Sequence, residues 1–158
     1  MPAPGVSMQH VLQISRKIDY GLRAMIFLAG RYGGDLMPFR EIARKIDVPE
    51  DFLAKILKTL ADAGLVVSQR GAGGGYGLAK PAAAISFLDV IEAVEGPVRV
   101  NVCLQDEAGG EHDACSVAPS CTMLSVWREG QERMLDVYRN ATLADLAGPR
   151  RHPLPTID

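Results

Sequence analysis

Residues 42–81 read IARKIDVPEDFLAKILKTLADAGLVVSQRGAGGGYGLAKP. With Phe39 just upstream, Ile42, Ala43 and Ile46 recur at i, i+3, i+4 and i+7, the period of one helical face. Pro38 precedes them, so this short helix begins where a proline is tolerated. DVPE at 47–50 turns the chain, and a third helix is expected from about residue 50 to 63. Phe52, Leu53, Ile56, Leu57 and Leu60 form its buried face. Asp51, Lys55, Lys58 and Asp62 fall on the opposite face with Thr59 beside them, and Gly64 supplies the stop. LVVSQR at 65–70 and YGLAK at 76–80 are short apolar runs separated by GAGGG, which predicts a β-hairpin with a tip nearly bare of side chains. Helix, turn, helix and hairpin is the order of a winged helix-turn-helix, so the expected class is mainly α with a β-hairpin wing.

Outward from this stretch, Ile18, Leu22, Met25 and Ala29 place an amphipathic helix over residues 15–32. SFLDVIEAVE at 86–95 predicts another, with Phe87, Val90, Ile91 and Val94 on one face, Ser86 as cap and Gly96-Pro97 as stop. Residues 122–140 are helical again. Leu124, Trp127, Met134 and Tyr138 make an apolar stripe there, interrupted by Gln131 and suited to packing against another helix. TLADLAG at 142–148 is a short terminal helix. The chain thus divides into a flexible extension (1–13), a winged helix-turn-helix domain (14–97), a cysteine-bearing loop (98–121), a long helix with its short follower (122–148) and a flexible tail (149–158).

No apolar run approaches the roughly 18 residues a membrane helix needs, and the first residues lack the basic and apolar regions of a secretory signal. The expected setting is a reducing cytoplasm, without membrane association. The net charge of −2 hides a gradient. Through Lys80 there are 11 Lys and Arg against 7 Asp and Glu; from Pro81 onward there are 6 against 12. The first part is +4 and the second −6, as expected when one end meets a polyanion.

The third helix has the length to enter the major groove of double-stranded DNA, and Lys55 and Lys58 share its polar side. Thr59 and Asp51 join them as base-edge candidates. Arg70 stands at the head of the glycine tip; Gly71, Gly73, Gly74 and Gly75 would let backbone approach a sugar-phosphate wall, and Arg70 would enter a minor groove. The competing reading is a solvated face, with Lys55 and Lys58 paired to Asp51 and Asp62. Nucleotide binding is a poor alternative, because Tyr76 stands where G-x-G-x-x-G requires its third glycine.

All three cysteines, Cys103, Cys115 and Cys121, fall in one acidic, Gly-rich stretch with the spacing C-x11-C-x5-C. Zinc sites usually use close C-x2–4-C pairs, and a disulfide would strand one thiol. Three thiolates with a fourth ligand from elsewhere can hold an iron–sulfur cluster. A metal-free thiol–disulfide switch and a loop of free thiols are the other readings.

ISRKIDYGLRAMIFLA at 14–29, residues 42–81 and ISFLDVIEAVEGP at 85–97 resemble the IscR/NsrR family of bacterial transcription regulators. The likeness runs from Ile14 to Gly148, and RGAGGGY directly after LADAGLV is its most specific element. It implies a homodimer on a palindromic promoter operator, a long C-terminal dimerisation helix at 122–140, and backbone contacts from Ser15 and Lys17. It also implies a cluster on the three cysteines, sensing nitric oxide, redox or iron–sulfur status. Relatives that carry the cluster commonly show two five-residue gaps, whereas the first gap here is eleven. IscR-type members place a histidine three residues after the last cysteine; Leu124 stands there. NsrR-type members use an aspartate from the partner, and the matching residue is Asp19, with His112 as runner-up. The plain alternative for Asp19 is an ion pair with Arg23. An oxygen ligand favours a 4Fe–4S over a 2Fe–2S cluster. The expectation is a DNA-binding repressor and not an enzyme. A small redox enzyme or electron carrier is the lesser alternative, since His10, His112 and His152 are the only imidazoles and no catalytic set is apparent.

Overall fold

The computed structural model describes residues 14–104 and 120–149. The expectations for the extension at 1–13, for His112 and Cys115, and for residues 150–158 of the tail lie outside the described residues. Among the described residues, six α-helices and one two-stranded antiparallel sheet follow in the order α1 (Arg16–Ala29), α2 (Phe39–Ile46), α3 (Glu50–Asp62), β1 (Val66–Gln69), β2 (Gly75–Leu78), α4 (Phe87–Glu95), α5 (Leu124–Asn140) and α6 (Leu143–Ala147). This is a winged helix followed by a long C-terminal helix.

α1 is the central post, packed against α2, α3, α4, α6 and β2. Its apolar side, including Met25 and Leu28, meets Ile42 of α2 and Leu53, Ile56, Leu57 and Leu60 of α3 in one core with Val90, Ile91 and Val94 of α4. Burying each such side chain contributes about 1.5–3 kcal/mol, and no buried side-chain polar atom among the described residues lacks a partner. The turn between α2 and α3 is set by Asp47, left-handed at φ 54° and ψ 56°, whose N–H donates to Ala43 O. Val48 then tucks into the core and Pro49 caps α3. α1 stops at Ala29, short of residue 32, because the chain turns through residues 30–34.

Phe52 corrects the reading of α3. It was expected on the buried face but is 57% exposed, since it lies at the flank of the Leu53, Ile56, Leu57 and Leu60 stripe. Its ring rests edge-on against Tyr20 at 6.2 Å between centroids.

The wing pairs Val66 with Leu78 through Gln69 with Gly75. A further bridge was not legible: Met37, in the α1–α2 connection, exchanges both backbone hydrogen bonds with Tyr76 at 2.9 Å. Gly75 makes this possible. A Cβ there would stand 2.3 Å from Met37 O, and its φ of 154° suits glycine alone.

α4 and α6 start with matching capping boxes, Ser86 with Asp89 and Thr142 with Asp145. Backbone bonds from Phe87 N to Ala141 O (2.7 Å) and Leu143 N to Ile85 O (2.9 Å) lace the two helix starts together. α5 turns a narrow face inward. Leu135 is buried, Tyr138 lies against Phe87 with centroids 5.1 Å apart, and Gln131 Oε1 accepts from Val100 N at 2.9 Å. The residue that interrupts the stripe in sequence is therefore an anchor for the chain leading to the cysteines.

Candidate functional site

Two groups of candidate residues emerge, one at each end of the molecule's logic. On α3, Asp51, Lys55 and Lys58 face solvent and Thr59 is half-buried. Lys58 Nζ lies 2.9 Å from Asp62 Oδ2, the expected i, i+4 pair. Lys55 and Asp51 form no such pair, so that half of the solvated-face reading is not realised. Thr59 spends its hydroxyl proton on Lys55 O at 3.0 Å, which leaves its oxygen as an acceptor. The exposed side of α3 thus presents a lysine with no ion pair among the described residues, next to one held by a carboxylate.

The wing tip carries Arg70, exposed at the end of β1. Gly71 and Gly73 take φ of 95° and 73° with open space where a Cβ would be, so turn geometry selects them. Gly74 differs, since a Cβ there would stand 2.3 Å from Gln69 O. All four glycines of the tip have an intramolecular reason, and the same bareness leaves the backbone open to a polyanion.

Ser15 and Lys17 are engaged inside the protomer. Ser15 caps α1 by accepting from Ile18 N at 3.2 Å and donates to Glu95 Oε1, and Lys17 Nζ donates to Val94 O at 2.8 Å. Both clamp the start of α1 to the end of α4, where exposed carbonyls attract a cation. Sequence reasoning missed one basic face. Arg40 and Arg44 of α2 are exposed one turn apart, beside Lys45, without an ion pair among the described residues. The i, i+4 spacing of two arginines just before the helix–helix turn was the signal that could have found it.

The cysteine end is built by α5. Val98 lines a cleft of about 230 Å³ with Met134 and Tyr138, and Val100 is bonded to Gln131 further up the helix. The chain from 97 to 104 therefore runs antiparallel to α5, toward the helix start. It carries Cys103 in a single 3₁₀ turn, Val102–Leu104, that packs against α5. Cys121 lies just ahead of Leu124, so the two described thiols, both free and half-buried, share one end of α5.

Asp19 is elsewhere. Its neighbour Ile18 lines the cleft beside Met134, thirteen residues beyond Cys121 and about 20 Å along a helix. Its carboxylate holds Arg23 at 2.8 Å, both about half exposed, so the plain alternative is realised in the protomer. The donor chemistry suits an iron–sulfur group: two half-buried thiols at one helix end, with the third, Cys115, outside the described residues. No group of three metal-ligating side chains forms among the described residues, so Asp19 does not join Cys103 and Cys121 in one within the protomer.

The comparisons agree with the winged helix. Residues 14–149 match the Rrf2 family, described as an iron-dependent transcriptional regulator. A Mycobacterium tuberculosis protein named as an HTH-type transcriptional regulator is 35% identical over 137 residues, 87% of this chain and 82% of that one. The structure of CymR, the global cysteine regulator of B. subtilis, superposes with a TM-score of 0.68 at 32% identity, over 86% of this chain and 96% of CymR. IscR of T. potens gives 0.64 at 30% identity, over 85% of each. These relatives are regulators of transcription, not enzymes, and no described helix is long and apolar enough to cross a membrane. With the helix–turn–helix, the wing and nearly the whole length in common, the chain belongs to the Rrf2 family of transcriptional regulators.

Proposed function

We propose that this chain is a homodimeric repressor whose paired winged helices bind a palindromic promoter site, with affinity set by an iron–sulfur cluster. Cys103, Cys115 and Cys121 would hold the cluster, and Asp19 of the partner subunit is the preferred fourth ligand. Such a group supplies a redox- and nitric oxide-sensitive tie. Lys55, Lys58, Thr59 and Asp51 are the major-groove set. Arg70 and the tip glycines are the minor-groove or phosphate set, with Arg40 and Arg44 facing the backbone beside them. Ser15 and Lys17 stabilise the α1–α4 joint and reach the DNA backbone from there.

The observation that supports the sensor is that Cys103, in a turn packed against α5, and Cys121, just ahead of that helix, are both free and half-buried beside it. The separation of Asp19 from both within a protomer favours a donor from the second copy. A second reading has its own support. Asp19 is already engaged by Arg23, and CymR, a structure similar in fold and sequence, is a cysteine regulator. A thiol–disulfide switch without metal would use the same paired thiols.

Anaerobically purified protein separates the two. The cluster reading expects a brown sample containing iron and acid-labile sulfide, with visible bands that bleach on nitric oxide and operator affinity that falls at least tenfold. A colourless sample with a full thiol titre, whose DNA binding responds to oxidation, would establish the switch instead.

A further inference from the structure

The cleft of about 230 Å³ lies where four parts of the chain meet: the start of α1, the end of α4, the connection at 97–100 and the second half of α5. Most of its lining is apolar. Ile18 and Ile91 are only 7% and 3% exposed, Val98 and Tyr138 pack against the same core, and Met134 completes the wall. Ile14 also lines it and is 54% exposed, apolar surface that a bound group would take out of water.

The charged residues of the lining carry both signs. Glu95 is exposed and accepts from Ser15 Oγ, and a carboxylate has further acceptor positions to offer. It is also the last residue of α4, where the helix dipole adds negative potential. Lys17, bonded to Val94 O at 2.8 Å, does not line the cleft. Arg99, exposed four residues beyond Glu95, brings a planar fork of donors suited to a carboxylate. A ligand that answers this lining needs an apolar body, a cationic group and an anionic group. At about 30 Å³ for each water-sized group, the space holds roughly eight non-hydrogen atoms. That is too little for a nucleotide, and it suits a free amino acid whose side chain is aliphatic or a thioether.

We propose that this cleft binds a free α-amino acid of that kind, its ammonium on Glu95, its carboxylate on Arg99 and its side chain among Ile14, Ile18, Ile91 and Met134. The ligand touches the head through α1 and α4 and the long helix through α5. Its binding free energy therefore depends on how the two are set, and operator affinity responds by linkage. No described thiol lines the cleft, so this input is separate from the cysteines. It rests on the operator binding proposed above only for its regulatory effect.

The test is calorimetric titration of the full-length protein with leucine, isoleucine and methionine. Each should bind saturably in the micromolar to low-millimolar range. Isopentylamine, which lacks the carboxylate, and 4-methylpentanoate, which lacks the ammonium, should each bind about tenfold more weakly than leucine. Glu95→Gln keeps an acceptor for Ser15 and removes the charge, so it should weaken leucine about tenfold and leave 4-methylpentanoate unchanged, a pattern that a loosened fold would not give. Val98→Trp should fill the cleft and abolish binding with the helical circular dichroism retained. No saturable binding at millimolar leucine, equal binding of leucine and its two truncated analogues, or leucine binding that survives Val98→Trp overturns the site. Leucine that binds but leaves operator affinity unmoved overturns its role as an input. A protein that binds leucine and no operator DNA breaks the repressor reading while upholding the site.

Discussion

The reading head closes on itself, whereas the cysteine end of α5 is left open. In residues 42–81 the turn and wing are tied by backbone bonds within the protomer, among them Val48 N to Ala43 O, Gly74 N to Gly71 O and Tyr76 N to Met37 O, and four α3 side chains disappear into the core. At the other end, α5 contributes only one buried residue of its own, Leu135, and leaves a row of large apolar side chains in solvent. The difference teaches where each region takes its stability from. The head takes its stability from its own core, whereas the long helix beside the cysteines keeps most of its surface in solvent.

The largest expected effect breaks the closed half. Leu57 of α3 is fully buried in the core, and Leu57→Ala should destabilise the protein by about 2–5 kcal/mol, read by urea unfolding. A loss below about 1 kcal/mol would mean that the head relaxes around the void and is not closed in the sense argued here.

Arg70→Ala asks whether the closed head also does the reading. The side chain is exposed at the wing tip, so stability should hardly change, while operator affinity falls by about 1–3 kcal/mol if the guanidinium reaches a base edge. Titrations at matched salt decide it. An unchanged affinity would restrict recognition to α3.

How much of this was legible follows the same division. The turn at 47–50, the α3 stripe and the hairpin could be read because local patterns and tertiary contacts agree there. Phe52 was misplaced because a helical period gives the face but not its edge, and Tyr20, thirty-two residues away, settles the edge. The Met37–Tyr76 bridge left no trace in composition; only the crowding at Gly75 betrays it. On α5 one apolar stripe was drawn from the sequence through two different faces. Gln131, Leu135 and Tyr138 pack on the rest of the protomer, while Met123, Val126 and Val137 are exposed. A helical period alone cannot distinguish an apolar residue that packs inward from one that stays at the surface.

Cys103→Ser tests the open half from the opposite direction. The thiol is free and half-buried in a single turn, so the substitution should shift the stability of the metal-free protein by less than about 1 kcal/mol. Iron content and the nitric oxide response should nonetheless be lost. Were metal-free Cys103→Ser to unfold like Leu57→Ala, the cysteine turn would be part of the closed core.

The smallest effect lies inside the head. Lys58 and Asp62 are both mostly exposed, and an i, i+4 pair of that kind contributes about 0.3–0.5 kcal/mol to its helix. Asp62→Asn should cost no more than that in stability. For DNA the sign reverses. The substitution removes a carboxylate from the basic side of α3 and frees an ammonium to neutralise a phosphate, so operator affinity should rise. The slope of log K against log salt should steepen by up to about one unit. Lys55, which has no such pair, supplies the reference, since Lys55→Ala should flatten the slope by about one. If Asp62→Asn instead weakens binding, Asp62 orients Lys58 for a base and does not merely compete for it.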